Sequence, residues 1–309
     1  MGYQAVFKRY EIKYMVTAAQ KDRILKAMEP YMELDRFGRS TVRNLYFDTD
    51  DFVLARHSIT KPDYKEKLRI RSYAKADAGS TVFVELKRKF DGVVYKRRIG
   101  LPEADAMKWM AGGDGAASGK DPALRSAQGT AIVPGPAAES PQVAAEIEYF
   151  AGLYRGLRPV IYLSYDREAY RMREGAAAAD TGSESGMVSW NSPEFRVTFD
   201  SNIFCRETDL SLKSDAYGTP ILEEGMFLME LKCPGAIPLW FTKILTAEHI
   251  YKTSFSKYGR AYCSFMEKTP VERSREIAAA GYMGWAAAAA NQDKGYAGKR
   301  LAFGGRVTA

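Results

Sequence analysis

A repeated alternation of charged and apolar residues at period two constrains this chain more than any other feature. Side chains on a strand point to opposite faces in turn, so residues i and i+2 share a face. In YEIKY, Glu11 and Lys13 point together. In LRIRSY, Arg69 and Arg71 share a face while Leu68 and Ile70 point away. In VFVELKRK, Glu85, Lys87 and Lys89 oppose Val82, Val84 and Leu86. VVYKRRI pairs Lys96 with Arg98, and EFRVTFD aligns Glu194, Arg196, Thr198 and Asp200. FLMELKC sets Glu230 and Lys232 opposite Met229 and Leu231. Each segment has one apolar face and one face mixing bases with acids. Two architectures suit that pattern: an ordinary sheet with its charged face in water, or an antiparallel barrel with a polar lumen and helices outside. The sharply bounded Arg-x-Arg and Glu-x-Lys units, and ample apolar material elsewhere to cover an outer surface, favour the second.

Strands are predicted near 6–14, 41–48, 66–73, 81–89, 93–100, 143–150, 159–168, 194–202 and 226–232. One helix is predicted after Thr17, a good N-cap, with Ile24, Leu25 and Met28 on one face; others fall near 102–111, 238–249 and 255–267. Two stretches rich in Ala, Gly and Ser, 111–142 and 174–189, read as insertions that bury little apolar surface. The expected organisation is one domain over 1–268, interrupted twice, and a low-complexity appendage over 269–309.

The net charge of +7 is concentrated. Residues 61–100 hold 12 Lys and Arg against 5 Asp and Glu, which leaves 33 of each elsewhere from totals of 45 and 38. Focused positive charge points to a polyanionic partner. Nucleic acid is not expected, because these charges alternate with apolar residues and turn inward; exposed stacking aromatics interleaved with Lys and Arg would be the signature. A lumen lined by Lys and Arg needs water, counterions or an anionic ligand, because like charges repel and their desolvation is costly. Arg forks match phosphate oxygens, and carboxylates in the same lumen serve a phosphate ligand when a hard divalent cation bridges the two. The cysteines, Cys205, Cys233 and Cys263, are too far apart for a Cys-x-x-Cys site, and two histidines, His57 and His249, exclude a histidine-rich zinc site. No apolar run reaches the roughly 18–20 residues of a membrane helix. The first residues lack the apolar core of a signal peptide, so a cytoplasmic location is expected.

Eight units in order, FKRYEIKYMV, LRIRSY, FVELKRK, VVYKRRIG, RPVIYLSYDREAYR, FRVTFDSNI, FLMELKCPG and SFSKYGRAY, span about residues 5–265. Together they resemble the triphosphate tunnel metalloenzymes (the CYTH superfamily), and within them the vacuolar transporter chaperone, or polyphosphate polymerase, domain. The resemblance implies an α+β fold: an eight-stranded antiparallel β-barrel tunnel with helices packed outside. It implies ATP, another triphosphate or polyphosphate inside the tunnel, with Mn²⁺ or Mg²⁺. Carried over by position, Arg69, Arg71, Lys87, Arg196 and Lys257 are the expected catalytic set. Lys13, Lys96, Tyr165, Arg167 and Ser256 are the expected substrate contacts. Glu230 is the expected principal metal ligand, with Glu11, Glu85 and Asp200 as further candidates. The implied reaction is polyphosphate synthesis from the γ-phosphate of ATP. The alternatives are hydrolysis of inorganic or nucleoside triphosphate, and binding of polyphosphate without turnover. Two departures bear on the branch. The wider family often opens with Glu-x-Glu-x-Lys, where this chain has Arg9, and this leans towards the polymerases. The polymerases often carry a lysine three residues before the one matching Lys257, where this chain has Ser254.

Overall fold

The computed structural model describes residues 10–91, 93–111, 140–154, 156–174 and 194–266. The two expected insertions lie almost wholly, and the 269–309 appendage entirely, outside the described residues.

The first half runs β1 (Tyr10–Thr17), α1 (Ala18–Met28), β2 (Met32–Asp48), α2 (Val53–Thr60), β3 (Tyr64–Ser72), β4 (Thr81–Phe90), β5 (Val93–Pro102) and α3 (Glu103–Met110). The second runs α4 (Pro141–Leu153), β6 (Arg158–Met172), β7 (Arg196–Arg206), β8 (Thr219–Pro220), β9 (Met226–Cys233), α5 (Leu239–Ala247), β10 (Lys252–Thr253) and α6 (Lys257–Met266). The strands form one sheet in the order β10-β1-β9-β7-β6-β2-β3-β4-β5, with β8 beside β7. Every pairing is antiparallel.

The α+β class matches expectation. The closed eight-stranded barrel does not: this is a ten-stranded sheet whose ladder ends at β10 and β5. The reason is local. β10 reaches only Lys13 and Tyr14 of β1, and among the described residues no strand continues beyond β5. The sheet still curls until its ends meet through side chains. Lys87 Nζ of β4 lies 2.7 Å from Glu11 Oε2 of β1. Lys67 Nζ of β3 donates to Ser256 Oγ at 3.0 Å, just before α6.

A second correction concerns 143–150, predicted as a strand and found inside α4. Ala144, Ile147 and Phe150 are its buried residues, a three-residue repeat that belongs to a helix. A period-two reading of 143–150 would put Glu146 and Glu148 on one face. On the helix they diverge. Glu146 holds Arg97 and Arg88 at 2.9 and 3.1 Å, and Glu148 accepts from Trp109 Nε1 at 3.0 Å.

The expected cap is present: Gln20 N donates to Thr17 Oγ1 at 3.2 Å and Thr17 N to Gln20 Oε1 at 3.0 Å. Apolar strand faces pack outward in two clusters. One joins β2, β3, β4 and β6 to α2, α4 and α6; the other joins β1, β7 and β9 to α1 and α5. Covering the outside in this way leaves the charged faces inside the curl. Among the described residues, no helix is long and apolar enough to cross a membrane.

Candidate functional site: a basic tunnel

Strand register sets the lining in rows. On one wall Lys67, Lys87 and Lys96 are direct partners across β3, β4 and β5. The next row is Tyr46, Arg69, Glu85 and Arg98; the next is Asn44, Arg71, Phe83 and Gly100. On the other wall Lys13, Glu230 and Thr198 align, as do Arg167 and Asp200. Like charges opposite one another on a sheet are destabilising, so the lysine row is a strain borne by the empty fold.

Glu85 anchors the first wall. Its side chain is 1% exposed and lies 2.6 Å from Lys96, 2.8 Å from Arg69, 3.4 Å from Arg98 and 3.8 Å from Arg71. Burial pushes its carboxyl up, but Arg71, Lys96, Arg69 and Arg98 together hold it well below the usual carboxylate range. Arg69 also donates to Tyr46 Oη at 2.8 Å; Arg71 donates to Asn44 Oδ1 at 2.9 Å and Tyr165 Oη at 3.0 Å.

On the second wall Arg167 grips Asp200 in a two-point fork at 2.6 and 2.7 Å. Lys257 lies 2.5 Å from Asp200 and 3.2 Å from Glu230. Glu230 is shared further with Lys13 at 3.4 Å and Arg167 at 3.7 Å. Burial raises the Glu230 carboxyl, but Lys257, Lys13 and Arg167 outweigh it and hold it well below its ordinary range. Burial works against the Lys257 ammonium, yet Asp200 and Glu230 keep it firmly protonated.

Nine cations therefore face four carboxylates: Lys13, Lys67, Arg69, Arg71, Lys87, Lys96, Arg98, Arg167 and Lys257 against Glu11, Glu85, Asp200 and Glu230. The lysines register the excess. Burial lowers Lys96 to about 7, with Glu85 opposing the shift and Arg71 and Arg69 adding to it. Lys67 is lowered well below its ordinary range by burial first, then by Lys13, Lys87 and Arg69. Among the described residues no carboxylate forms an ion pair with Lys67; its polar partner is Ser256.

The expected residues fall in four groups. Lys13, Arg69, Arg71, Lys96, Tyr165, Arg167, Glu85, Asp200, Glu230 and Lys257 meet in the two networks just described. Lys87 and Glu11 pair where the ends of the sheet approach. Arg196 is exposed, at the start of β7 opposite Lys232, and sits at the rim. Ser256 accepts from Lys67 and from Gly259 N at 3.1 Å, so it secures the first turn of α6 as well as the lysine. Lys67, Arg98, Tyr46 and Asn44 were not among the expected site residues. Lys67 was legible as one more step of the Lys67-x-Arg69-x-Arg71 alternation, and Arg98 shares a face with Lys96. Tyr46 and Asn44 lie in a stretch of β2 buried on both faces, which erases the alternation.

Among the described residues, no three or more His, Cys, Asp or Glu side chains converge on a point that could hold a metal. The four candidate carboxylates are dispersed: Glu85 among arginines, Glu11 on Lys87, and Asp200 with Glu230 around Lys257. The last pair suits a hard cation that takes its remaining oxygens from phosphate and water. It does not amount to an all-protein metal cage.

Basic side chains turned into a curled antiparallel sheet, with acids shared among them, define a basic tunnel. The family model for the VTC domain matches residues 8–178 and 187–266, and the chain belongs to that family. A search of curated proteins gives no match. Solved structures with some likeness include a candidate adenylate cyclase from Bacillus halodurans, at 15% identity, TM-score 0.40, covering 82% of this chain and 96% of that one. A candidate adenylate cyclase from Vibrio parahaemolyticus gives 12% identity and TM-score 0.36 over 81% and 95% of the two chains. A Hippeastrum protein described as a candidate adenylyl cyclase with a dominant triphosphatase activity gives 15% identity and TM-score 0.42 over 85% and 99%. Likeness at that level identifies neither substrate nor reaction.

Proposed function

We propose that the tunnel binds the phosphates of ATP and transfers the γ-phosphoryl group to the end of a phosphate chain, extending polyphosphate. The observation that carries this reading is the excess of buried cations, with Lys67 lacking an acidic partner among the described residues. A chain of phosphates supplies the missing negative charge along the lumen.

Phosphoryl transfer asks a protein chiefly for in-line placement and for neutralisation of charge. A terminal oxygen of the acceptor chain bonds to the γ-phosphorus while the bond to the β,γ-bridging oxygen breaks, and ADP leaves with that electron pair. Arg69 and Arg71, fixed by Glu85, Tyr46, Asn44 and Tyr165, orient non-bridging oxygens. Lys257 and Arg167, held by Asp200 and Glu230, present charge where it accumulates on the transferring and leaving groups. Mg²⁺ or Mn²⁺, held by Asp200 and Glu230 with phosphate oxygens, would add Lewis-acid stabilisation there. Glu85 positions arginines in this reading and binds no metal.

Hydrolysis is the second reading. It calls for a base to activate water, and a base works best with a pKa near the working pH. Glu11 is the candidate, and Lys87 holds its carboxyl far below the ordinary range. While that ion pair holds, Glu11 is a weak base for water.

The test is incubation of the protein with ATP and Mn²⁺ or Mg²⁺, products resolved by phosphorus NMR or gel, beside Arg71→Ala and Glu230→Ala. Long chains that vanish in both variants are the expected result. Free phosphate without chains assigns hydrolysis, and binding of polyphosphate without turnover assigns a binding protein.

A further inference from the structure

One mouth of the tunnel carries an exposed aromatic pair. The rings of Phe37 and Tyr73 lie nearly parallel, 13° apart with centroids 6.5 Å apart. Phe37 is 64% exposed and Tyr73 39%. Phe37 is held out by a kink in β2. Asp35 Oδ1 accepts from Phe37 N and Gly38 N, Gly38 takes φ +54°, and the register with β6 shifts between Leu34 and Arg39. Tyr73 immediately follows β3, two residues beyond Arg71. Guanidinium groups surround the pair. Arg98 lies 3.4 Å from the centroid of Phe83, which meets Tyr73 edge-on, and donates to Tyr73 Oη at 3.3 Å. Arg36 lies 4.6 Å from the Phe37 centroid.

We infer that Phe37 and Tyr73 form a platform for the base of the nucleoside triphosphate whose phosphates enter the tunnel. The inference rests on the proposed reading of the lumen as a triphosphate site. A flat aromatic surface beside arginines suits a planar heterocycle attached to an anion: stacking serves the base, and the guanidiniums serve the phosphates. The spacing agrees. The Arg71 guanidinium lies 5.9 Å from the Tyr73 ring centroid, close enough for one nucleotide to reach both. A purely structural role for Phe37 fits poorly, because most of its ring is in water.

The experiment is titration calorimetry of the full chain with ATP and, separately, with inorganic tripolyphosphate, both without divalent cation to prevent turnover. Phe37→Ala, on an exposed kink, is expected to keep the fold. It should weaken ATP about fivefold or more while tripolyphosphate stays within about twofold of wild type. Phe37→Trp gives a second readout: the added emission should be quenched by ATP and not by tripolyphosphate. Equal effects on both ligands, or no effect on either with unquenched Phe37→Trp emission, overturn the platform. If the wild type binds neither ligand, the triphosphate reading itself fails, and the platform with it.

Discussion

Lysines held well below their ordinary range are the most consequential individual groups. An ordinary lysine titrates at 10.5, and burial brings Lys96 to about 7. Between those values the unfolded chain keeps a proton that the folded chain has released, so Lys96 opposes folding less as pH rises through that window. Binding shows the opposite sign. A phosphate beside Lys96 restores its proton, so triphosphate affinity should fall as pH rises above about 7, by up to about tenfold per pH unit for one linked proton. Calorimetry in buffers of different ionisation enthalpy should detect the proton taken up, and Lys96→Arg should flatten the profile. A slope unchanged in that variant would assign the proton elsewhere, with Lys67 the next candidate. At Arg71 the fork matters as much as the charge. Arg71→Lys should keep the positive charge yet lose at least one of the contacts to Asn44 and Tyr165, lowering kcat/KM by about fivefold or more if each is worth ~1 kcal/mol. Arg69 and Arg71 were readable from alternation because their intervening residues, Leu68 and Ile70, are apolar. Tyr46 and Asn44 were not, because β2 is buried on both faces there and its sequence carries no period to read.

Between elements, one carboxylate ties the outer layer to the lumen. Asp48, at the end of β2, accepts from Leu54 N at 3.0 Å and Ala55 N at 2.8 Å, in the first turn of α2. It also accepts from Tyr258 Oη of α6 at 2.6 Å. The Tyr258 ring stacks on Tyr46 at 4.4 Å, and Tyr46 accepts from Arg69. Asp48→Ala should strand those buried donors and cost about 3 kcal/mol, seen as a lower urea midpoint. Tyr258→Phe keeps the stack and loses one hydrogen bond. It should cost only about 1 kcal/mol and leave the tunnel's binding intact. A large loss of binding in Tyr258→Phe would mean that the hydroxyl sets the position of Arg69. Most elements with a clear period were legible, but α2 was not predicted and α4 was read as a strand. VAAEIEYF satisfies period two in its charges and a helical period in its apolar residues, and burial of Ala144, Ile147 and Phe150 decides for the helix.

Over the whole molecule, the charge imbalance makes the empty fold less stable than the filled one. Tripolyphosphate at 100 times its Kd should add about 2.7 kcal/mol and raise Tm, a shift readable by differential scanning fluorimetry. Lys67→Met, which removes the cation lacking an acidic partner, should raise Tm without ligand and shrink the shift with it. The direction of this effect was visible in the clustered charge of residues 61–100. That the sheet stays open was not, because side-chain pairing across the gap leaves no periodic trace. The gap has a consequence of its own. Where β4 comes back to β1, the wall is joined by Lys87 and Glu11 instead of a backbone ladder. Backbone ladders are indifferent to electrolyte, whereas a partly exposed ion pair weakens with it. The girth of the tunnel is thus set at a clasp that salt can loosen. On the proposed reading, a polyanion drawn past Lys87 would compete with Glu11 for the same ammonium, so the cargo itself would unfasten the wall around it.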